Sequence, residues 1–183
     1  SNIIKDSSKK AMDLLSNLME WSRSQTGRMI FNPEYFKIDD AISKILHLFS
    51  DIAAQKSINI ETELIPNKTV YADKEMVSTI LRNLISNAIK FTPKEGNIKI
   101  VSKVKQNKLE ISIQDSGVGL SKSSIKNLFK MDAKNSTPGT HKEQGTGLGL
   151  ILCKEFIEKH KEKIWVKSEP GKGSIFYFTL TYL

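Results

Sequence analysis

At 183 residues with a net charge of +8, the chain is long enough for one domain with its own core and an appendage. No apolar run approaches the roughly 18 residues of a membrane span, and no stretch reads as a signal peptide. The lysines are dispersed, with no basic block interleaved with aromatics; the charge therefore suits a polyanionic nucleotide or an acidic partner domain as well as it suits nucleic acid. The lone cysteine, Cys153, has no partner for a disulfide within the chain and reads as a buried thiol.

Residues 3–24 read as one helix, with Ile4, Ala11 and Leu18 recurring at seven and Leu14 and Trp21 again seven apart. Gly27 ends it. Residues 29–38 are a short extended segment, where Pro33 argues against a central strand. Asp39 or Asp40 is expected to cap a helix running to about Ser57. Residues 58–64 alternate as a strand, and 69–72 form a second, short one. Asp73 caps a helix that Pro93 stops. Residues 98–104 and 109–114 form a hairpin about Gln106-Asn107.

The helix after Asp73 carries polar residues where apolar ones are usual. Leu81, Leu84, Ile85, Ala88 and Ile89 supply the apolar face, while Asn83, Asn87 and Lys90 lie four and three apart and share a side. Asn is a poor choice for a helix interior. An amide oxygen suits Mg²⁺ and a Lys ammonium suits phosphate. Taken alone, a solvated polar face explains this helix equally well.

Residues 109–114 end at Asp115, and Ser116-Gly117-Val118-Gly119 turns the chain. A carboxylate at a strand end can accept a hydrogen bond from an amine such as the adenine amino group. Ser121 caps a helix to about Phe129. Residues 130–144 show no periodicity, and between Ser121 and Gln144 five Lys stand against Asp132 and Glu143, a net +3. A basic loop of that length reads as a lid over phosphates. Gly145-Thr146-Gly147-Leu148-Gly149 then opens an apolar helix over 150–159, and a glycine turn at a helix N-terminus is a ready anion site. Residues 164–167 and 174–182 are strands. Lys172-Gly173-Ser174 between them has the wrong order for a P-loop and reads as a hairpin turn.

These elements in this order carry a resemblance. NLISNAIKFT from Asn83, DSGVGL from Asp115 and GTGLGL from Gly145 resemble the N box and the two glycine boxes of the ATP-binding catalytic domain of sensor histidine kinases, within the group that also holds gyrase, heat-shock-90 and mismatch-repair ATPases. Leu128-Phe129 looks like the start of the family's phenylalanine box. The resemblance implies an α+β fold, a two-layer α/β sandwich of the Bergerat type: a mixed sheet covered on one face by helices, plus an N-terminal helix. It implies that residues 1–27 end a dimerisation and phosphoacceptor hairpin and that 28–183 are the catalytic domain.

The resemblance also implies roles. Asn87 is the Mg²⁺ ligand, Asn83 helps hold metal and phosphates, and Lys90 pairs with phosphate. Asp115 takes the adenine amino group, and Gly117 and Gly119 let base and ribose approach. Gly145, Thr146, Gly147, Leu148 and Gly149 fold the lid over the phosphates. None of His47, His141 and His160 has the acidic neighbour of a phosphoacceptor, so that histidine is expected on a helix preceding residue 3. His160, at a helix C-terminus, is expected to carry partial charge that suits the helix dipole.

The implied function is transfer of the ATP γ-phosphate to that histidine in two-component signalling, with ATP and Mg²⁺ as cofactors. The implied partners are the chain's own dimerisation domain, a second copy and a response-regulator receiver domain, with no nucleic acid bound directly. The implied location is a cytoplasmic domain whose full-length protein is open to membrane anchoring. Two alternatives stand beside it: a nucleotide-binding scaffold without catalysis, and a hydrolytic ATPase, for which Glu75 and Glu95 are the nearest candidate bases. Two departures from the family pattern are Met131-Asp132 in place of a second Phe, and Lys161-Glu162-Lys163 in place of a glycine pair, the latter expected to matter little.

Overall fold

The computed structural model describes residues 30–130 and 147–183, together with Met12, Leu15, Leu18, Met19, Ser22, Arg23 and Thr26. The remainder of the expected dimerisation helix (including Trp21 and Gly27), and the expected lid, lie outside the described residues.

The chain enters through β1 (Glu34–Lys37) and α1 (Ile38–Gln55). β2 (Asn59–Glu63) and β3 (Thr69–Ala72) follow, then α2 (Lys74–Phe91). The hairpin of β4 (Asn97–Lys105) and β5 (Lys108–Asp115) leads to α3 (Lys122–Asn127), α4 (Gly149–Lys159) and the closing hairpin β6 (Ile164–Glu169) and β7 (Gly173–Leu180). The main sheet has the order β2-β4-β5-β7-β6. It is mixed: β2 runs parallel to β4 and every other neighbour is antiparallel.

Strand register explains the two layers. Ile100, Ile113 and Phe176 stand side by side across β4, β5 and β7, and all three are buried. Their neighbours in sequence alternate to the opposite face. The inward row meets Ile80, Leu84 and Ile85 of α2 and Leu152, Phe156 and Ile157 of α4 in one core. Helices thus cover one face of the sheet, as the family resemblance implies.

Several local choices follow sequence chemistry closely. Gln106 and Asn107 both adopt positive φ, 47° and 59°, which a two-residue hairpin turn requires. Ser121 caps α3 by accepting the Ser124 N–H at 3.1 Å. β1 tolerates the preceding Pro33 because it pairs on one side only, with β3 in a separate two-stranded ribbon.

One cap differs from expectation. α1 begins at Ile38, and its N-cap is Lys37 without a side-chain bond, so neither Asp39 nor Asp40 caps it. Ile38 is fully buried, and seating it in the core sets the helix start earlier. Asp39 instead accepts the Asn67 N–H at 3.0 Å and, with Asp40, lies in the first turn, where the helix dipole favours negative charge.

Candidate nucleotide site

The site assembles where the C-terminal half of α2, the end of β5 and the start of α4 converge. Asn83 and Asn87 lie one turn apart on α2 and are half-buried. The Asn83 amide nitrogen donates to the Thr79 carbonyl at 3.0 Å, which fixes the side chain. The side-chain oxygen abuts Gly149: a Cβ there would stand 2.6 Å from Asn83 Oδ1. The glycine box and the N box therefore meet directly. Asn87 makes no side-chain hydrogen bond among the described residues, so its amide oxygen is available. Lys90 is half-buried one turn on, with its ammonium 4.8 Å from the centre of the Phe91 ring.

Asp115 ends β5 and is 5% exposed. Burial pushes its carboxyl up from 3.8 to about 6, and the backbone N–H groups of Gly117 and Ser174 offset part of that effect. The Gly117 N–H bonds Oδ1 at 2.8 Å. A carboxylate has about four acceptor positions, so capacity remains for an incoming amine.

Packing within the fold also requires two of these glycines. A Cβ on Gly117 would stand 2.5 Å from the Phe91 carbonyl oxygen, and one on Gly119 would stand 2.0 Å from that of Glu169. Their smallness lets the first glycine box press against the end of α2 and against the β6–β7 turn. The Val118 N–H donates to the Phe91 carbonyl at 3.3 Å across the first of these contacts. Gly147 alone among the described site glycines combines positive φ, 72°, with open space around it. Leu148 is the N-cap of α4 and supplies no side-chain bond, and the first turn holds no acidic residue. A helix N-terminus without an acidic residue in its first turn suits an anion. Gly145 and Thr146 lie outside the described residues.

Three supports escaped the sequence reading. Lys56, 5% exposed, donates from Nζ to the Ile89 carbonyl at 2.8 Å and the Lys90 carbonyl at 3.2 Å, so a buried cation caps the C-terminus of α2. Ser168 accepts the Leu120 N–H at 2.8 Å and donates to the Gly173 carbonyl at 2.8 Å, tying the first glycine box to the closing hairpin. Glu162, expected to matter little, is 9% exposed and accepts bonds from Lys108, Thr179 and Thr181. Only their charge or hydroxyl was visible in sequence, because most of the partners lie far along the chain.

The histidines also differ in detail. His47 is exposed on α1. His160 accepts the Asp73 N–H at Nε2, 2.9 Å away, while Nδ1 lies 2.6 Å from the Phe156 carbonyl oxygen. With Nε2 accepting, Nδ1 is left to donate to the Phe156 carbonyl, so both ring nitrogens of His160 have backbone partners. His141 lies outside the described residues. Cys153 is fully buried, and burial pushes its thiol far up, in keeping with an inert core residue.

Among the described residues no group of three His, Cys, Asp or Glu side chains is placed to hold a metal. The amide oxygens of Asn83 and Asn87 are neutral, hard donors. That set fits a Mg²⁺ ion that brings phosphate oxygens and water for the rest of its shell.

Residues 72–182 match the model of the histidine kinase-, DNA gyrase B- and HSP90-like ATPase family. The chain belongs to that family. It is 32% identical over 177 residues to the adaptive-response sensory kinase SasA of Synechocystis, covering 93% of this chain and 45% of SasA. The sensor histidine kinase WalK of Bacillus subtilis is 29% identical, covering 98% of this chain and 30% of WalK. The chain thus spans less than half the length of these relatives. Among solved structures, the catalytic domain of histidine kinase ThkA superposes with a TM-score of 0.70 at 27% identity, covering 84% of this chain and 96% of that one.

Proposed function

We propose that this chain is the ATP-binding catalytic portion of a sensor histidine kinase. The observation that carries the reading is the meeting of Asn83 and Gly149, which sets the N box against the second glycine box.

In this reading Asp115 accepts the adenine amino group, with Gly117 N–H holding its other oxygen in place. Asn87, supported by Asn83, holds the Mg²⁺ ion, and Lys90 pairs with phosphate. Bound Mg²⁺ supplies charge neutralisation at the phosphate oxygens. The α4 N-terminus and Gly147 receive the phosphate chain, with Gly145, Thr146 and Leu148 completing the turn, and the basic stretch before it excludes water. Transfer forms a bond between the γ-phosphorus and an imidazole nitrogen of an acceptor histidine and breaks the bond to the ADP oxygen. The acceptor sits on the dimerisation hairpin to which residues 1–27 belong, a second copy completes the dimer, and a response-regulator receiver domain takes the phosphoryl group onward. ThkA, similar at 25% identity with a TM-score of 0.77, forms a complex with the response regulator TrrA, which supports that partner. The domain works in the cytoplasm.

A hydrolytic ATPase is disfavoured by the positions of its candidate bases. Glu75 is exposed in the first turn of α2 and Glu95 is exposed in the turn beyond its end, neither of them one turn from Asn83 or Asn87.

The test is calorimetric titration with a non-hydrolysable ATP analogue, with and without Mg²⁺, on the wild-type chain, Asn87→Ala and Asp115→Ala. Mg²⁺-dependent binding that both substitutions abolish supports the assignment, and a folded wild-type chain that binds nothing overturns it. Phosphorylation of a supplied acceptor hairpin then separates a kinase from a scaffold.

A further inference from the structure

A second junction lies at the far end of α2 from the nucleotide residues. Asp73 is 7% exposed and serves three neighbours. Its Oδ1 accepts the Met76 N–H at 3.0 Å and caps α2. Its Oδ2 accepts the Asn32 N–H at 2.9 Å, and Asn32 belongs to the stretch that leads into β1. Its own N–H donates to His160 Nε2. Phe31 packs edge-on against the His160 ring, with centroids 4.9 Å apart at 87°.

His160 is the C-cap of α4. The two helices lie antiparallel: Asp73 meets His160, the Ile80 carbonyl meets Cys153 Sγ at 3.9 Å, and Asn83 meets Gly149. One end of the pair holds the nucleotide residues. The other end, about 15 Å away by helical rise, holds the entering connector.

We propose that Asp73 and His160 latch the connector residues Phe31 and Asn32, and that this latch sets how α2 and α4 lie against each other at the nucleotide site. Both are positioning residues, since neither is among the nucleotide-binding groups. The physical reason is the shared carboxylate. When Asn32 leaves, Oδ2 of a buried aspartate loses its partner, and the cost is relieved by movement of the α2 cap that Oδ1 holds. Connector docking and nucleotide binding are then linked, and linkage of binding free energies is reciprocal. The coupling rests on the proposed nucleotide reading, and the latch itself does not.

The experiment uses the full chain with His160→Ala, His160→Gln and Phe31→Ala. Backbone hydrogen exchange is followed at Asn32, with Leu84 in the core as control. Without nucleotide, Asn32 exchange is expected to rise about five-fold in His160→Ala and Phe31→Ala, with Leu84 unchanged. His160→Gln, which keeps an amide oxygen as acceptor, restores protection. A saturating non-hydrolysable ATP analogue slows Asn32 exchange in the wild type, and undocking variants lose analogue affinity to a matching degree. Unchanged Asn32 exchange in both His160→Ala and Phe31→Ala overturns the latch, as does an equal rise at Leu84. Raised Asn32 exchange with wild-type analogue affinity overturns the coupling. A wild-type chain that binds no analogue overturns the nucleotide reading and the coupling with it, while the exchange data decide the latch.

Discussion

Asp115→Asn sets stability against binding at a single side chain. The carboxyl of Asp115 titrates at about 6 in the folded chain against an ordinary 3.8. Between those two values the unfolded chain has released its proton and the folded chain has kept it, so stability falls as pH rises from 3.8 through 6 and the full cost is present above 6. At about 1.4 kcal/mol per pH unit, the difference amounts to about 3 kcal/mol of charge burial at neutral pH. Asparagine carries no charge and keeps an oxygen for the Gly117 N–H. Its stability relative to wild type is therefore expected to fall by about 3 kcal/mol between pH 8 and pH 3.5. Its amide has fewer acceptor positions than a carboxylate. Affinity for an adenine nucleotide should drop about 10- to 100-fold, the range for losing a bond to a charged acceptor. Urea denaturation at steps from pH 3.5 to 8, with titration calorimetry at pH 7.5, measures both. A stability difference that stays flat over that range would refute the argument that burial of the Asp115 charge dominates its environment.

Four further outcomes follow from the packing. Gly173→Ala places a Cβ 1.9 Å from the Asp115 carbonyl oxygen at a φ of 86°, and should cost at least about 3 kcal/mol in urea denaturation. Gly171→Ala, with φ 78° and nothing within 4 Å, should cost only about 1 kcal/mol and isolates the backbone contribution. Lys56→Met removes the buried cation from the end of α2 and should cost about 2 kcal/mol, with faster amide exchange over the last turn of that helix. Burial raises the Glu162 carboxyl, but bonds from Lys108, Thr179 and Thr181 and the charge of Lys108 outweigh it and hold the group below 4.5. Its stabilisation is thus present above 4.5 and is lost as pH falls through the lower folded value. Glu162→Ala should cost about 1–2 kcal/mol at pH 7 and less in acid.

Local chemistry made most elements legible. The Asn83, Asn87 and Lys90 spacing, the alternation ending at Asp115, the Gln106-Asn107 turn and the Asp73 cap are all settled within a few residues of chain. The apolar periodicity of α2 and of β4, β5 and β7 then leaves few ways to build one core. Where the tertiary structure decided matters, contacts between distant residues were at work. Whether Asp39 caps α1 depended on where the core seats Ile38. The need for glycine at 117, 119 and 149 came from Phe91, Glu169 and Asn83, which approach across the fold. The role of His160 came from a backbone N–H 87 residues away, and the role of Lys56 from carbonyls some 33 residues on. A sequence states which groups are present and how they repeat. Which carbonyl a buried lysine meets, or which oxygen forbids a methyl group, is fixed only when long-range packing brings the groups within about 3 Å of each other.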